Sequence, residues 1–171
     1  MPSPPSPPAR GRSEKTLPNR LAALGYPGFS HLRKSPPVNP ALVVLETVST
    51  NDLDGRVAEA MPWVLERHPH LDWKSLVAYA KVRDVQNRLG FFVTLARELA
   101  EARPNPTASA RLTRVESQLE ASRLAAETTL GRDSMPEAER AWLRKHRPPE
   151  ARHWNVLSAM KVQDLPYAQA S

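Results

Sequence analysis

The sequence predicts an all-α fold: one multi-helix domain of about six or seven helices, behind a disordered, Pro-rich and basic N-terminal tail. Three observations carry this. Apolar residues recur at helical spacing from residue 39 onward. Helix starts and stops stand between the periodic runs, including Asn39-Pro40, Asp72, Gly131 and Pro148-Pro149. Ten of the 18 prolines fall in the first 40 residues, where apolar side chains are too sparse to build a core. The expected organisation is a tail over 1–17, a basic lead-in with a turn over 18–38, and a helical domain over 39–167.

Charge divides at nearly the same place. Residues 1–40 hold six Lys/Arg and one acid, Glu14. The remaining 131 residues hold 18 basic and 17 acidic groups of the whole chain's 24 and 18. Arg10, Arg12, Lys15, Arg20, Arg33 and Lys34 are therefore the candidate nucleic-acid contacts, because clustered cations favour a polyanion. The absence of cysteine excludes disulfides, thiolate nucleophiles and Cys-based zinc sites. No apolar run suits a signal peptide or a membrane span, so the expected location is cytoplasmic.

Taken in order, Pro18–Leu24 predicts a short helix closed by Gly25. Tyr26-Pro27-Gly28-Phe29 has the residues of a type II turn. Asn39 and Pro40 suit the N-cap and first turn of a helix with Ala41, Val44, Leu45 and Val48 on one face. Asn51 or Asp52 offers the next cap, before Leu53, Val57, Met61, Val64 and Leu65; Pro62 is expected to kink or split that helix.

Asp72 caps the following helix, with Leu71 and Leu76 placed as a hydrophobic staple. The apolar face changes phase near Asp84. Val85, Leu89, Phe92, Val93, Ala96 and Leu99 then make a second face, and Gly90 within it suggests a close helix–helix crossing. Ala110–Leu130 predicts a long helix with a narrow seam of Leu112, Val115, Leu119, Ser122, Ala126 and Leu130, stopped by Gly131. Ser134-Met135-Pro136-Glu137 reads as a capping box, and Pro149 begins a last helix carrying Ala151, Trp154, Leu157 and Met160. No strand pair is expected.

Asp84, Gln86, Asn87 and Arg88 form the main candidate interaction site: a polar cluster on an otherwise apolar helix. Asp84 and Arg88 stand at a favourable i,i+4 spacing. The same cluster also suits a buried hydrogen-bonded network that locks helix packing, which is the commoner role for such residues. His68, His70 and Asp72 have the bare spacing of metal ligands, but Asp72 is already engaged as a cap. Arg140 with His146, and Arg147 with His153, match the loose Arg–His spacing of helical HEPN-type ribonucleases. A basic helix end explains the same residues more simply. The four tryptophans read as core residues rather than a stacking platform.

The stretches PPVNPALVVLE, LDGRVAEAMPW, LDWKSLVAYAKVRDVQNRLGFFVTLAREL and SMPEAERAWLRKHRPPEARHWN resemble the C-terminal helical region of bacterial helix-turn-helix regulators of the antitoxin-like type. The likeness spans roughly Leu21–Tyr167, most of what one domain allows. It implies a bacterial, cytoplasmic, non-enzymatic regulator with a toxin-like or regulatory protein partner, and with DNA or RNA as a second partner. It implies no cofactor and no catalytic residues. A Pro-rich basic leader stands where that family carries its DNA-reading module.

Overall fold

A computed structural model describes residues 16–169 of the chain, and these form an all-α structure. The elements are α1 (Thr16–Ala23), a 3-10 turn (Pro27–Phe29), α2 (Pro40–Ser49), α3 (Gly55–Arg67), α4 (Trp73–Val82), α5 (Gln86–Ala102), α6 (Pro106–Glu120), β1 (Thr128–Thr129), α7 (Glu137–His146), α8 (Pro149–His153), β2 (Val156–Leu157) and a second 3-10 turn (Val162–Asp164). The tail expected to be disordered lies almost wholly outside the described residues. Among those described, no helix is long and apolar enough to cross a membrane.

Capping chemistry accounts for several of the helix starts. The Asn39 side chain accepts from the Ala41 N–H at 2.9 Å, and Asp72 accepts from the Ser75 N–H at 3.1 Å. Leu71 and Leu76 are both buried, as a staple requires. The cap of α3 is Asp54, which accepts from the Arg56 N–H at 2.8 Å, rather than Asn51 or Asp52. Asp52 instead takes a left-handed conformation at φ 56°. Pro62 does not split α3, which runs on to Arg67. Burial of Met61, Trp63, Val64 and Leu65 on either side outweighs the single backbone hydrogen bond that proline removes.

The lead-in belongs to the same core as the helices that follow it. Leu17, Leu21, Ala22, Tyr26 and Phe29 are buried with them. The Tyr26 ring meets Phe29, Trp63 and Tyr167 edge-on at centroid distances of 5.6, 5.4 and 5.8 Å. The Tyr26–Phe29 turn is not type II. Gly28 lacks the positive φ that type needs, and a 3-10 turn forms instead.

The axis of the core is α5, in which every residue from Gln86 to Ala96 is buried. It packs between α3 and α6. The expected close approach at Gly90 exists, but its partner is a side chain rather than a helix backbone. A Cβ built at Gly90 would lie 2.5 Å from the Trp154 ring. The Trp154 indole N–H donates to the Thr94 hydroxyl, one turn further along α5, at 2.8 Å. Glycine and threonine thus form a bed for one large ring.

The C-terminal third departs most from expectation. The helix predicted to reach Leu130 stops at Glu120, and the chain then crosses the head of α5 before pairing in parallel with Val156 and Leu157. Ser134 does not cap α7; its hydroxyl faces Asp52, and Pro136 precedes α7 without a side-chain cap. The last helix is only five residues long, because Asn155 turns left-handed at φ 54° and releases β2. Gly131 does interrupt the chain, though as a tight crossing. Its φ is 76°, its carbonyl accepts from the Leu53 N–H at 2.8 Å, and an added Cβ would lie 2.3 Å from the Thr50 carbonyl oxygen.

Candidate functional site

The sequence places Asp84, Gln86, Asn87 and Arg88 together, and the structure sets them at the junction of α4 and α5. Asp84 is exposed and left-handed at φ 56°, which resets the chain direction between the two helices. The other three side chains are buried. Asn87 forms a two-way bond with one residue of the crossing chain. Its amide donates to the Leu124 carbonyl at 2.9 Å, and its carbonyl accepts from the Leu124 N–H at 2.8 Å. Gln86 donates to the Ser122 carbonyl at 3.0 Å, and Asn155 adds a second donor to Leu124 at 2.9 Å. Backbone groups that would otherwise extend α6 are thereby satisfied sideways.

Arg88 completes this clamp. Its guanidinium donates to the Val48 carbonyl at 3.1 Å and to the Thr128 hydroxyl at 3.3 Å. Its carboxylate neighbour is Asp133, at 3.8 Å, and not Asp84 as the spacing suggests. Asp84 lies outside α5, so the i,i+4 geometry is not available to it. Burial lowers the Arg88 pKa, and Asp133 partly offsets that.

Of the six candidate nucleic-acid contacts, Arg10, Arg12 and Lys15 lie outside the described residues. Arg20 forms an ion pair with Glu46 on α2. Arg33 and Lys34 are exposed on the segment leading to α2.

The remaining constellations are engaged locally. His68 Nδ1 meets the Val64 carbonyl at 2.9 Å, at the end of α3. The Arg140 guanidinium donates to the carbonyls of Met135 and Asp133, both at 3.0 Å. His146 stacks on Trp142 at a centroid distance of 4.5 Å. Arg147 donates to the Val156 carbonyl at 3.3 Å, and His153 bonds to Glu120. That bond is the main reason the Glu120 carboxyl is held below its ordinary value.

Two features escaped the sequence reading. The first is a groove of about 610 Å³ between α4 and α6. Trp73 and Ala78 give it accessible apolar surface over the buried Val77 and Val115; Lys74, Lys81 and Arg114 stand exposed around it, with no acid among the lining residues. Arg111 also lines it, but its guanidinium donates to the Leu65 and Glu66 carbonyls at 3.4 and 3.2 Å. Lys74 and Lys81 are seven residues apart on a helix whose other face is apolar, which is the signal that could have found it. The second is a carboxyl pair. Glu98 on α5 meets Glu150 on α8, and burial together with that neighbour pushes the Glu98 pKa up to about 7.

No protein-family model, curated protein or solved structure matches this chain significantly.

Proposed function

We propose that this chain is a non-enzymatic regulatory module that binds a partner protein, with its basic N-terminal segment adding contact to nucleic acid. The observation that supports this reading is the basic groove between α4 and α6. It is an open surface with both apolar and charged character, whereas the polar head of α5 is turned inward. Arg140 and Arg147, the arginines of the ribonuclease-like pairs, are likewise engaged with backbone carbonyls. The likeness to antitoxin-like regulators adds a bacterial, cytoplasmic setting and a toxin-like partner to the proposal.

The test is affinity purification of the full tagged chain from the cells that make it. A stoichiometric protein partner, without RNA cleavage by the purified complex, is the expected result. Loss of a robust ribonuclease activity in His146→Ala or His153→Ala would overturn the proposal. The nucleic-acid arm is tested by removing residues 1–15 only, since Leu17 and Leu21 belong to the core. That deletion takes away three cations and should flatten the salt dependence of DNA or RNA binding. An unchanged slope would remove the arm from the proposal.

A further inference from the structure

We infer that the groove between α4 and α6 receives an acidic amphipathic helix of the partner, seated on Trp73 and Ala78 above the buried Val77 and Val115, with Lys74, Lys81 and Arg114 around it. This rests on the partner-binding reading above and names the chemistry of the partner.

The argument begins with helix spacing. Trp73, Val77 and Lys81 follow one another at i, i+4 and i+8 on α4, with Lys74 and Ala78 beside them. Arg111, Val115 and Gln118 follow at i, i+4 and i+7 on α6, with Arg114 beside them. Of these, α4 brings Trp73, Ala78, Lys74 and Lys81 to the accessible surface, and α6 brings Arg114, with Arg111 turned to the Leu65 and Glu66 carbonyls. Lys74 and Lys81 are separated by about 10 Å along α4, two helical turns. A helix with a Leu-type stripe at i, i+3 or i+4, and i+7 matches the apolar surface, and Glu or Asp beside that stripe matches the rims.

The lining itself has no acid for its three exposed cations, Lys74, Lys81 and Arg114, although Asp72, the α4 cap, lies near Lys74, and Arg111 is held by the Leu65 and Glu66 carbonyls. Elsewhere on the surface, by contrast, Arg132 is held by Glu139, and Arg144 by Glu127 and Glu137. Charge excludes the chain's own leader as the occupant, because residues 1–15 carry three cationic side chains and one acid. Nucleic acid satisfies the cations, but the accessible surface of the groove is mostly apolar, which a stripe of apolar side chains covers and a phosphate backbone does not, so a protein helix is the better match.

The test uses the full chain and a fluorescent peptide of about 16 residues, with Leu at helical spacing and Glu on both flanks. A permuted peptide of equal composition and a single-stranded oligonucleotide of equal charge serve as comparison probes. Fluorescence anisotropy should show the amphipathic peptide binding at least tenfold more tightly than the permuted one. The double substitution Lys81→Glu with Arg114→Glu should weaken it by roughly tenfold or more, with an unchanged thermal melt showing that the variant is folded. Amide shifts in NMR spectra should concentrate on α4 and α6. Equal binding of the permuted peptide, indifference to the charge reversal, or full displacement by the oligonucleotide would each overturn the inference. A native partner that still co-purifies with the charge-reversed chain would also overturn it, while leaving the module reading in place.

Discussion

The head of α5 and the groove between α4 and α6 both carry polar and charged side chains, and they differ in how those side chains are buried. At the head of α5, amides and a guanidinium are buried and nearly every hydrogen-bond partner is a backbone group. In the groove, Lys74, Lys81 and Arg114 stand exposed at the edge of an open surface with no acid in the lining. Burial decides which role a polar side chain plays. A desolvated amide must find a fixed partner, so it becomes part of the scaffold. A cation left beside exposed apolar atoms keeps its hydration and its freedom to meet another molecule.

This contrast makes distinct demands on stability and on binding. The largest effect is expected from Asn87→Ala, which removes a buried amide and both of its hydrogen bonds to the half-buried Leu124 backbone. It should cost about 2 kcal/mol in chemical denaturation, at about 1 kcal/mol for each hydrogen bond lost. Asn87→Asp should recover only part of this, since it restores the acceptor but sets a carboxylate against the Leu124 carbonyl. Next comes Gly90→Ala. Alanine favours a helix by about 1 kcal/mol, yet its methyl would strike the Trp154 ring. Overpacking should win, for a net loss of about 1–2 kcal/mol and a shifted Trp fluorescence spectrum.

A smaller effect should follow from Glu98→Gln. The folded Glu98 pKa lies near 7, above its ordinary 4.5. The stability this carboxyl contributes is therefore present below about 4.5 and lost as the pH rises through 7. Glutamine should remove that fall, so the variant gains on the wild type in melts at pH 8 and not at pH 4. Glu150, Glu101 and Arg97 are the charged neighbours that set the slope. Smallest of all, Lys74→Ala and Lys81→Ala should shift stability by no more than about 0.5 kcal/mol, as exposed substitutions do. A large loss in either would show the groove rim to be scaffold after all.

Local signals foretold the N-terminal two thirds of the described fold well. Asn39 and Asp72 cap where their side chains predict, because the cap needs only neighbouring N–H groups. The ends of α6 and α8 were not foretold, because they are set by residues 31 to 37 positions away. Asn87 reaches Leu124, and Asn155 reaches the same carbonyl. Helical periodicity through Leu130 says nothing about such a sideways pull. The polar string at the head of α5 was visible, but its direction was not: a 3.6-residue period cannot tell a buried amide from one that faces a partner. The groove was missed for the converse reason. Its residues come from two helices, and Val77 and Val115 beneath it are core positions, so only the exposed cations beside them mark it.

The ring seated on Gly90 and Thr94 also ties folding to the order of synthesis. Residue 154 must leave the ribosome before α5 can cover that side of its surface, and Tyr167, whose hydroxyl donates to the Glu59 carbonyl, must follow. Until then, an apolar helix at the centre of the molecule stands partly open, so a chain stalled before residue 154 is the form most prone to aggregate or to be captured by a chaperone.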